Sequence, residues 1–167
     1  DMCPDKAGLP EFNGCPVPDS DGDGLNDKED KCPQEKGLID NSGCPEIRKE
    51  IIEKVNYAAS NIFFQTKSDK LSAQSFSALK EVVAILESNP SLHLRIAGHT
   101  DNVGNPAYNL ALSRHRAQAV KKYLEEQGIE HTRLRAAGFG QEKPIAGNET
   151  PAGKAKNRRV ELKPVQE

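Results

Sequence analysis

No stretch of this 167-residue chain approaches the ~20 consecutive apolar residues that a helix needs to cross a bilayer, so nothing in it reads as a transmembrane helix. The opening Asp1-Met2-Cys3-Pro4 has neither the basic nor the apolar region of a secretory signal. The chain therefore reads as a fragment or a mature soluble portion, and its start inside a repeat predicts that something precedes it. Aromatic residues are scarce, with five Phe, three Tyr and no Trp. They do not interleave with the basic residues, which removes the surface of a nucleic-acid binder. Also missing are Gly-x-Ser-x-Gly, His-Glu-x-x-His and a phosphate-binding loop. His99, Asp101 and Ser113 are ingredients of acid–base or nucleophilic chemistry, yet none of the four histidines has an evident catalytic partner. The chain is read as a non-enzyme.

What is present is unevenly placed. Residues 1–45 hold 11 Asp and Glu against 4 Lys, a balance of −7, which leaves +5 for the remainder of a chain whose net charge is −2. All four cysteines lie in the acidic part. Two regions are expected, a small appendage over 1–45 and a globular domain over 46–167, with the boundary near Cys44-Pro45-Glu46.

The appendage contains a repeat. Asp1-x-Cys-Pro, Gly8 and Gly14-Cys15-Pro16 recur 29 residues later as Asp30-x-Cys-Pro, Gly37 and Gly43-Cys44-Pro45. Four cysteines allow three pairings; the same 12-residue separation inside each unit favours Cys3 with Cys15 and Cys32 with Cys44. Each such loop would contribute about 3 kcal/mol in the chain-entropy model. Such bridges persist in an oxidising compartment. Zinc ligand pairs sit closer together, which makes a zinc site the poorer use of these thiols.

Between the cysteine units runs Asp19-Ser-Asp21-Gly-Asp23-Gly24-Leu25-Asn-Asp27-Lys-Glu-Asp30. Carboxylates at positions 1, 3, 5, 9 and 12, a glycine at 6 and the Leu25 carbonyl at 7 match an EF-hand-like calcium loop, so Asp19, Asp21, Asp23, Leu25, Asp27 and Asp30 are the expected ligands. The competing reading is a solvated acidic linker. With Asp instead of Glu at position 12 and no flanking apolar helices, the expected site is structural, with a Kd of ~10⁻⁴–10⁻³ M. The Asp-x-Asp-x-Asp-Gly run followed by Asp-x-Cys-Pro is similar to a thrombospondin type 3 repeat. That resemblance implies a calcium-stiffened spacer.

The second region alternates strand and helix patterns. Ala58 to Phe64 is a strand candidate. Ser72 is a plausible N-cap for a helix through Leu79, Val82, Val83 and Leu86 that stops at Asn89-Pro90. Leu92, Leu94 and Ile96 alternate with His93, Arg95 and Ala97 as in a half-buried strand. Asn105-Pro106 then opens a helix that should run to Gly128. Its apolar stripe is read as Leu112, Arg116, Val120 and Tyr123, with Arg114, Gln118, Lys121 and Glu125 on the wet side. Leu134–Phe139 and Arg159–Leu162 are the last strand candidates. The fold class is α/β, with helices layered on one sheet.

The stretch from Gly98 to Arg116 sets Asp101 and Arg116 near the start of one helix. A guanidinium on the margin of an apolar face needs an anionic or carbonyl partner. Either the two residues pair with each other, or together they read a small zwitterion, since an Arg fork grips a carboxylate and a nearby carboxylate holds an ammonium. Gly98-His99-Thr100-Asp101, Tyr108-Asn109, Leu112-Ser113, Arg116-Ala117, Gly138-Phe139-Gly140 and Asn157-Arg158-Arg159-Val160-Glu161 resemble the OmpA-like C-terminal domain of OmpA-type porins, peptidoglycan-associated lipoproteins and flagellar stator proteins.

The resemblance implies a two-layer OmpA-like sandwich. It implies noncovalent binding of the peptidoglycan peptide stem, Asp101 taking the ammonium and Arg116 the carboxylate of diaminopimelate. It also sets Thr66, Lys67, Asn109, Asn157 and Arg158 along the same groove, with Arg158 favoured over Arg159 as the ligand-side residue. Where the family frequently has Asp and Asn, this chain has Gln65 and Lys67. The implied location is the periplasm beside the outer membrane, with calcium as cofactor, peptidoglycan as partner and membrane contact only through a region upstream. A homodimer is compatible with this reading. A protein-interaction or flagellar-stator domain of the same fold is the alternative.

Overall fold

A computed structural model describes residues 2–167; Asp1, which opens the first Asp-x-Cys-Pro, lies outside the described residues. The chain divides into two compact units, one of residues through Glu46 with Gln166–Glu167, the other Ile47–Val165. Among the described residues no helix is long and apolar enough to cross a membrane.

In the N-terminal unit the repeat is structural as well as sequential. Cys3 is bonded to Cys15 and Cys32 to Cys44, as the equal spacing favours. Each loop holds a 3₁₀ turn, Pro10–Phe12 and Ile39–Asn41, followed by a left-handed residue, Asn13 or Ser42. The same backbone bonds recur 29 residues apart. Leu9 N–H donates to Cys15 O and Leu38 N–H to Cys44 O; Met2 N–H donates to Asn13 O and Lys31 N–H to Ser42 O. With so little apolar side chain to bury, two covalent closures and a repeated set of backbone bonds carry the order that a core would otherwise supply.

The C-terminal unit is built from α1 (Lys49–Ser60), α2 (Ser75–Ser88), β1 (His93–His99), α3 (Pro106–Glu126), β2 (Leu134–Gly138), α4 (Pro151–Asn157) and β3 (Arg159–Val165). The sheet order is β2-β1-β3, with β1 parallel to β2 and antiparallel to β3. Alternation sorts its two faces. Leu94, Ile96, Leu134, Val160 and Leu162 join Ile51 and Val55 of α1, Leu79, Val82 and Leu86 of α2, and Val120 and Leu124 of α3 in one core. Arg95, Arg135, Glu161 and Lys163 lie exposed on the other face. This is a mixed α/β layer pair in which all the large helices serve one sheet face.

Three local expectations give way. Ala58–Phe64 is not a strand, because Ala58 and Ala59 complete the buried α1 stripe begun by Ile51 and Val55. Only Phe64 bridges extended chain, to Leu71. Short apolar runs fit either period, and here the upstream helical stripe wins. The second helix starts at Ser75, and Ser72 instead hydrogen-bonds Phe63. In α3 the buried stripe is Asn109, Ser113, Ala117, Val120 and Leu124. Leu112, Arg116 and Tyr123 are half-buried on its flank, and Lys121 and Glu125, expected to face water, are half-buried too.

The rotation of α3 has a steric cause. Gly98 and Gly138 are ladder partners, and a Cβ would lie 2.1 Å from Ser113 O at Gly98 and 2.2 Å from Arg114 N at Gly138. The helix backbone rests on the sheet there, so a small residue, Ser113, must face it. Gly98→Ala or Gly138→Ala should therefore cost about 2 kcal/mol or more, because the neighbouring atoms are backbone and cannot yield. A urea titration of the whole chain should show a lower midpoint with an unchanged slope; an unchanged midpoint would contradict the close contact.

Candidate functional site

The Asp101 loop is tied down at both ends. Phe139 N–H donates to Gly98 O and Thr100 N–H to Gly140 O, at 3.0 and 2.8 Å. At the far end Asn105 caps α3, its Oδ1 accepting from Ala107 and Tyr108 N–H, with Pro106 in the first turn. Asn109 straps the loop to the helix: its Nδ2 donates to Val103 O at 3.0 Å, Gln141 Oε1 at 3.2 Å and Asp101 O at 3.4 Å. Ser113, fully buried, donates to Leu110 O and accepts from Gly140 N–H, which leaves its hydroxyl no nucleophilic role.

Asp101 and Arg116 do not pair with each other. Asp101 Oδ1 accepts from Val103 N–H at 3.0 Å, and Oδ2 accepts from Arg158 Nη1 at 2.6 Å. Arg116 Nε donates to Ser68 O at 3.0 Å, and its guanidinium lies 5.0 Å from the centre of the Phe64 ring. Its two Nη atoms have no hydrogen-bond partner among the described residues. Burial lowers the Arg116 pKa below the ordinary guanidinium value; the nearby Tyr108, Asp69 and Asp101 oppose this, and the Arg158 charge adds to it. The side chain is thus aimed by one backbone carbonyl and one aromatic face, with its terminal fork left over for an anion.

Both residues open onto a cavity of about 920 Å³ whose wall also includes Thr66, Lys67, Asn109 and Arg158. Six of the seven expected ligand residues therefore share one space. Asn157 does not. It is fully buried, with Oδ1 accepting from Ile145 and Ala146 N–H and Nδ2 donating to Ala146 O and Asn148 Oδ1. Its amide has to satisfy a buried loop, and that work turns it away from the cavity. Arg159 reaches the wall, but its guanidinium serves Glu161 at 2.7 Å and the Lys143 and Asn157 carbonyls. Lys154, which the motifs do not single out, lines the cavity from α4. The signal for that helix is Thr150-Pro151: Thr150 caps it by accepting from Gly153 N–H.

His99 sits on the opposite sheet face, 2 % exposed, stacked on Phe139 with Glu161 3.5 Å away. Burial, and then the Arg159 charge, lower its pKa below the usual imidazole value, while Glu161 opposes. It is a neutral packing residue at neutral pH. His131, exposed, pairs with Glu125.

In the N-terminal unit three of the five expected carboxylates converge. Asp19, Asp21 and Asp23 each offer an oxygen, all within 4.8 Å of one another. The loop is wound around them: Gly22 and Gly24 N–H donate to Asp19, Asp23 N–H to Asp21 Oδ1, and Leu25 N–H to Asp23 Oδ1. Asp21 Oδ2 is buried without a hydrogen-bond partner. Desolvation raises the Asp21 pKa above its ordinary value, aided by the charges of Asp23, Asp30 and Asp19 and opposed by the Asp23 N–H. Asp27 is drawn off to Ser20, and Asp30, buried, accepts from Cys32 N–H at 2.7 Å. A buried, partnerless carboxylate oxygen among like charges suits a hard cation.

Residues 63–158, which contain the whole Asp101 loop and Arg116, match the OmpA family. The chain belongs to the OmpA family. It is 37 % identical over 144 residues to outer membrane porin F of Pseudomonas aeruginosa, covering 86 % of this chain and 40 % of the porin. It is 38 % identical over 101 residues to the peptidoglycan-binding protein ArfA of Mycobacterium bovis, covering 60 % of this chain and 31 % of ArfA. The chain therefore spans less than half the length of these curated relatives. Among solved structures, the peptidoglycan-associated lipoprotein of Burkholderia pseudomallei matches with a TM-score of 0.59 and 35 % identity, over 62 % of this chain and 88 % of that one. The OmpA-family segment includes Thr66, Lys67, Asp101, Asn109, Arg116, Lys154 and Arg158 of the cavity wall.

Proposed function

We propose that the C-terminal unit binds the peptide stem of peptidoglycan noncovalently and so anchors its parent protein, at the outer membrane, to the cell wall. The observation that carries this is the state of Arg116, oriented by Ser68 and Phe64 yet with its fork unspent, in the same cavity as Asp101. A relative named for peptidoglycan binding and a solved structure of a peptidoglycan-associated lipoprotein support it. The zwitterionic end of diaminopimelate fits the two charges. Its carboxylate meets the Arg116 fork, and its ammonium meets the lone pairs of Asp101 that Val103 and Arg158 leave over. Thr66 and Asn109 supply polar wall. No bond to the ligand is made or broken.

The N-terminal unit is proposed as a calcium-holding spacer of thrombospondin type 3 character in the periplasm. Asp19, Asp21 and Asp23 would hold the ion, with the Leu25 carbonyl, Asp27 and Asp30 joining as the loop adjusts. Calcium would neutralise carboxylates that otherwise repel, and the disulfides on either side limit the chain entropy that binding must overcome.

Arg116→Ala should leave the domain folded and cost about 2 kcal/mol of binding, some thirtyfold in affinity, read as loss of co-sedimentation with purified insoluble peptidoglycan. Arg116→Lys should also bind more weakly, since an ammonium cannot reproduce the planar fork. Wild-type retention in both variants would refute the assignment.

Calcium at ~1 mM should raise the protease resistance of residues 2–46. The pH dependence has a definite sign. Asp21 has a raised pKa, so a proton competes with the cation for it, and calcium affinity should fall as the pH drops through the carboxylate range, whereas the calcium-free unit gains relief from the same protonation. Calorimetry that shows no calcium binding at neutral pH, or no loss of affinity in Asp21→Asn, would reduce the loop to an acidic linker.

A further inference from the structure

The cavity holds more positive charge than one zwitterion can answer. Lys67, Arg116, Lys154, Arg158 and Arg159 line it, against the single carboxylate of Asp101. Two of these cations are answered inside the chain, Arg158 by Asp101 at 2.6 Å and Arg159 by Glu161 at 2.7 Å. Arg116 is taken by the diaminopimelate carboxylate in the proposed complex. The side chains of Lys67 and Lys154 remain, and neither makes an ion pair or hydrogen bond with another described residue. Local structure fixes the backbone at both positions. Lys67 occupies a left-handed turn at φ 52°, directly before the Ser68 that aims Arg116. Lys154 is half-buried on α4, one turn before Arg158, whose N–H donates to the Lys154 carbonyl. Lys67 is exposed at the cavity rim, so the cost of partial burial without an anion falls on Lys154, and both lysines share the cost of like charges around one cavity.

A γ-linked glutamyl residue precedes the diamino acid in the stem, and the γ linkage leaves its α-carboxylate free beside that residue. We infer that Lys67 and Lys154 form a second carboxylate subsite for this group, so that the pocket distinguishes an acidic stem from one amidated at the glutamyl position. This rests on the proposed binding of the peptide stem and adds a selectivity to it. Amidation is close to isosteric; it removes one negative charge and turns an acceptor into a donor facing two ammonium groups. The discrimination is therefore electrostatic, with a contribution from the wrong hydrogen-bonding partner.

The test is calorimetric titration of the full chain with two tripeptide stems, identical except for a glutamyl carboxylate or carboxamide. Wild type should prefer the acid by about tenfold or more, the usual scale of one charge-assisted contact. In Lys67→Asn/Lys154→Gln the preference should be lost, so that the ratio of the acid to the amide affinity measured on that same variant falls to about one. Lys154→Arg, which keeps the charge, should keep the preference. Equal binding of both stems by wild type overturns the subsite. A preference that survives in the double variant overturns its assignment to these lysines. If wild type binds neither stem, the stem-binding reading falls as well.

Discussion

The contact between the backbone of α3 and the paired glycines of β1 and β2 fixes most of the geometry of the C-terminal unit. With no Cβ at Gly98 or Gly138, Ser113 O and Arg114 N come within van der Waals reach of the sheet. That approach sets the rotation of the helix about its axis. The small Ser113 faces the sheet at this contact, Asn109 and Ala117 share its buried face, and Arg116 then falls on the flank and reaches the cavity. The same contact fixes the Asp101 loop, since Ser113 Oγ accepts from Gly140 N–H, and Gly140 O in turn accepts from Thr100 N–H. One steric constraint thus positions both charged partners of the site.

Charge does the rest. Asp101 is shared between Val103 and Arg158, which holds it in place and dilutes its field, whereas Arg116 is supported by an aromatic face and a carbonyl, neither of which neutralises it. The cavity is therefore net positive even after its internal pairs are formed. Binding an anionic group there recovers attraction that the chain itself leaves unused, in a partly desolvated space where a charged contact is worth more than in bulk water. The N-terminal unit shows the reverse arrangement: carboxylates are gathered by backbone N–H groups, and one buried oxygen is left without a partner.

Much of this is legible in residue order, and the failures have physical reasons. The α3 start is readable because Asn105-Pro106 is a local signal whose chemistry does not depend on the fold. The disulfide pairing is readable because both loops close over the same 12 residues. The buried face of α3 is not, because hydropathy favours Leu112 over Ser113, while the close sheet contact favours the smaller residue. Ala58–Phe64 resembles a strand because its apolar run is short; the helix that claims Ala58 and Ala59 is visible only when Ile51 and Val55 are counted with them. The motif groups Asn157 with the ligand residues, but a buried loop consumes its amide. Lys154 gives no signal because α4 is a single short helix with no apolar stripe, and its place on the cavity wall is a matter of tertiary structure.

In the proposed complex Arg116 and the Asp101 loop together receive the diamino acid. Side-chain and backbone ¹⁵N NMR of the whole chain during titration with meso-diaminopimelate tests it most directly. Saturable shifts are expected at the Arg116 guanidinium, the Thr100–Val103 amides and the Arg158 guanidinium alone, and they should be abolished in Arg116→Ala. Saturable shifts elsewhere that leave the Arg116 resonance unmoved would contradict it.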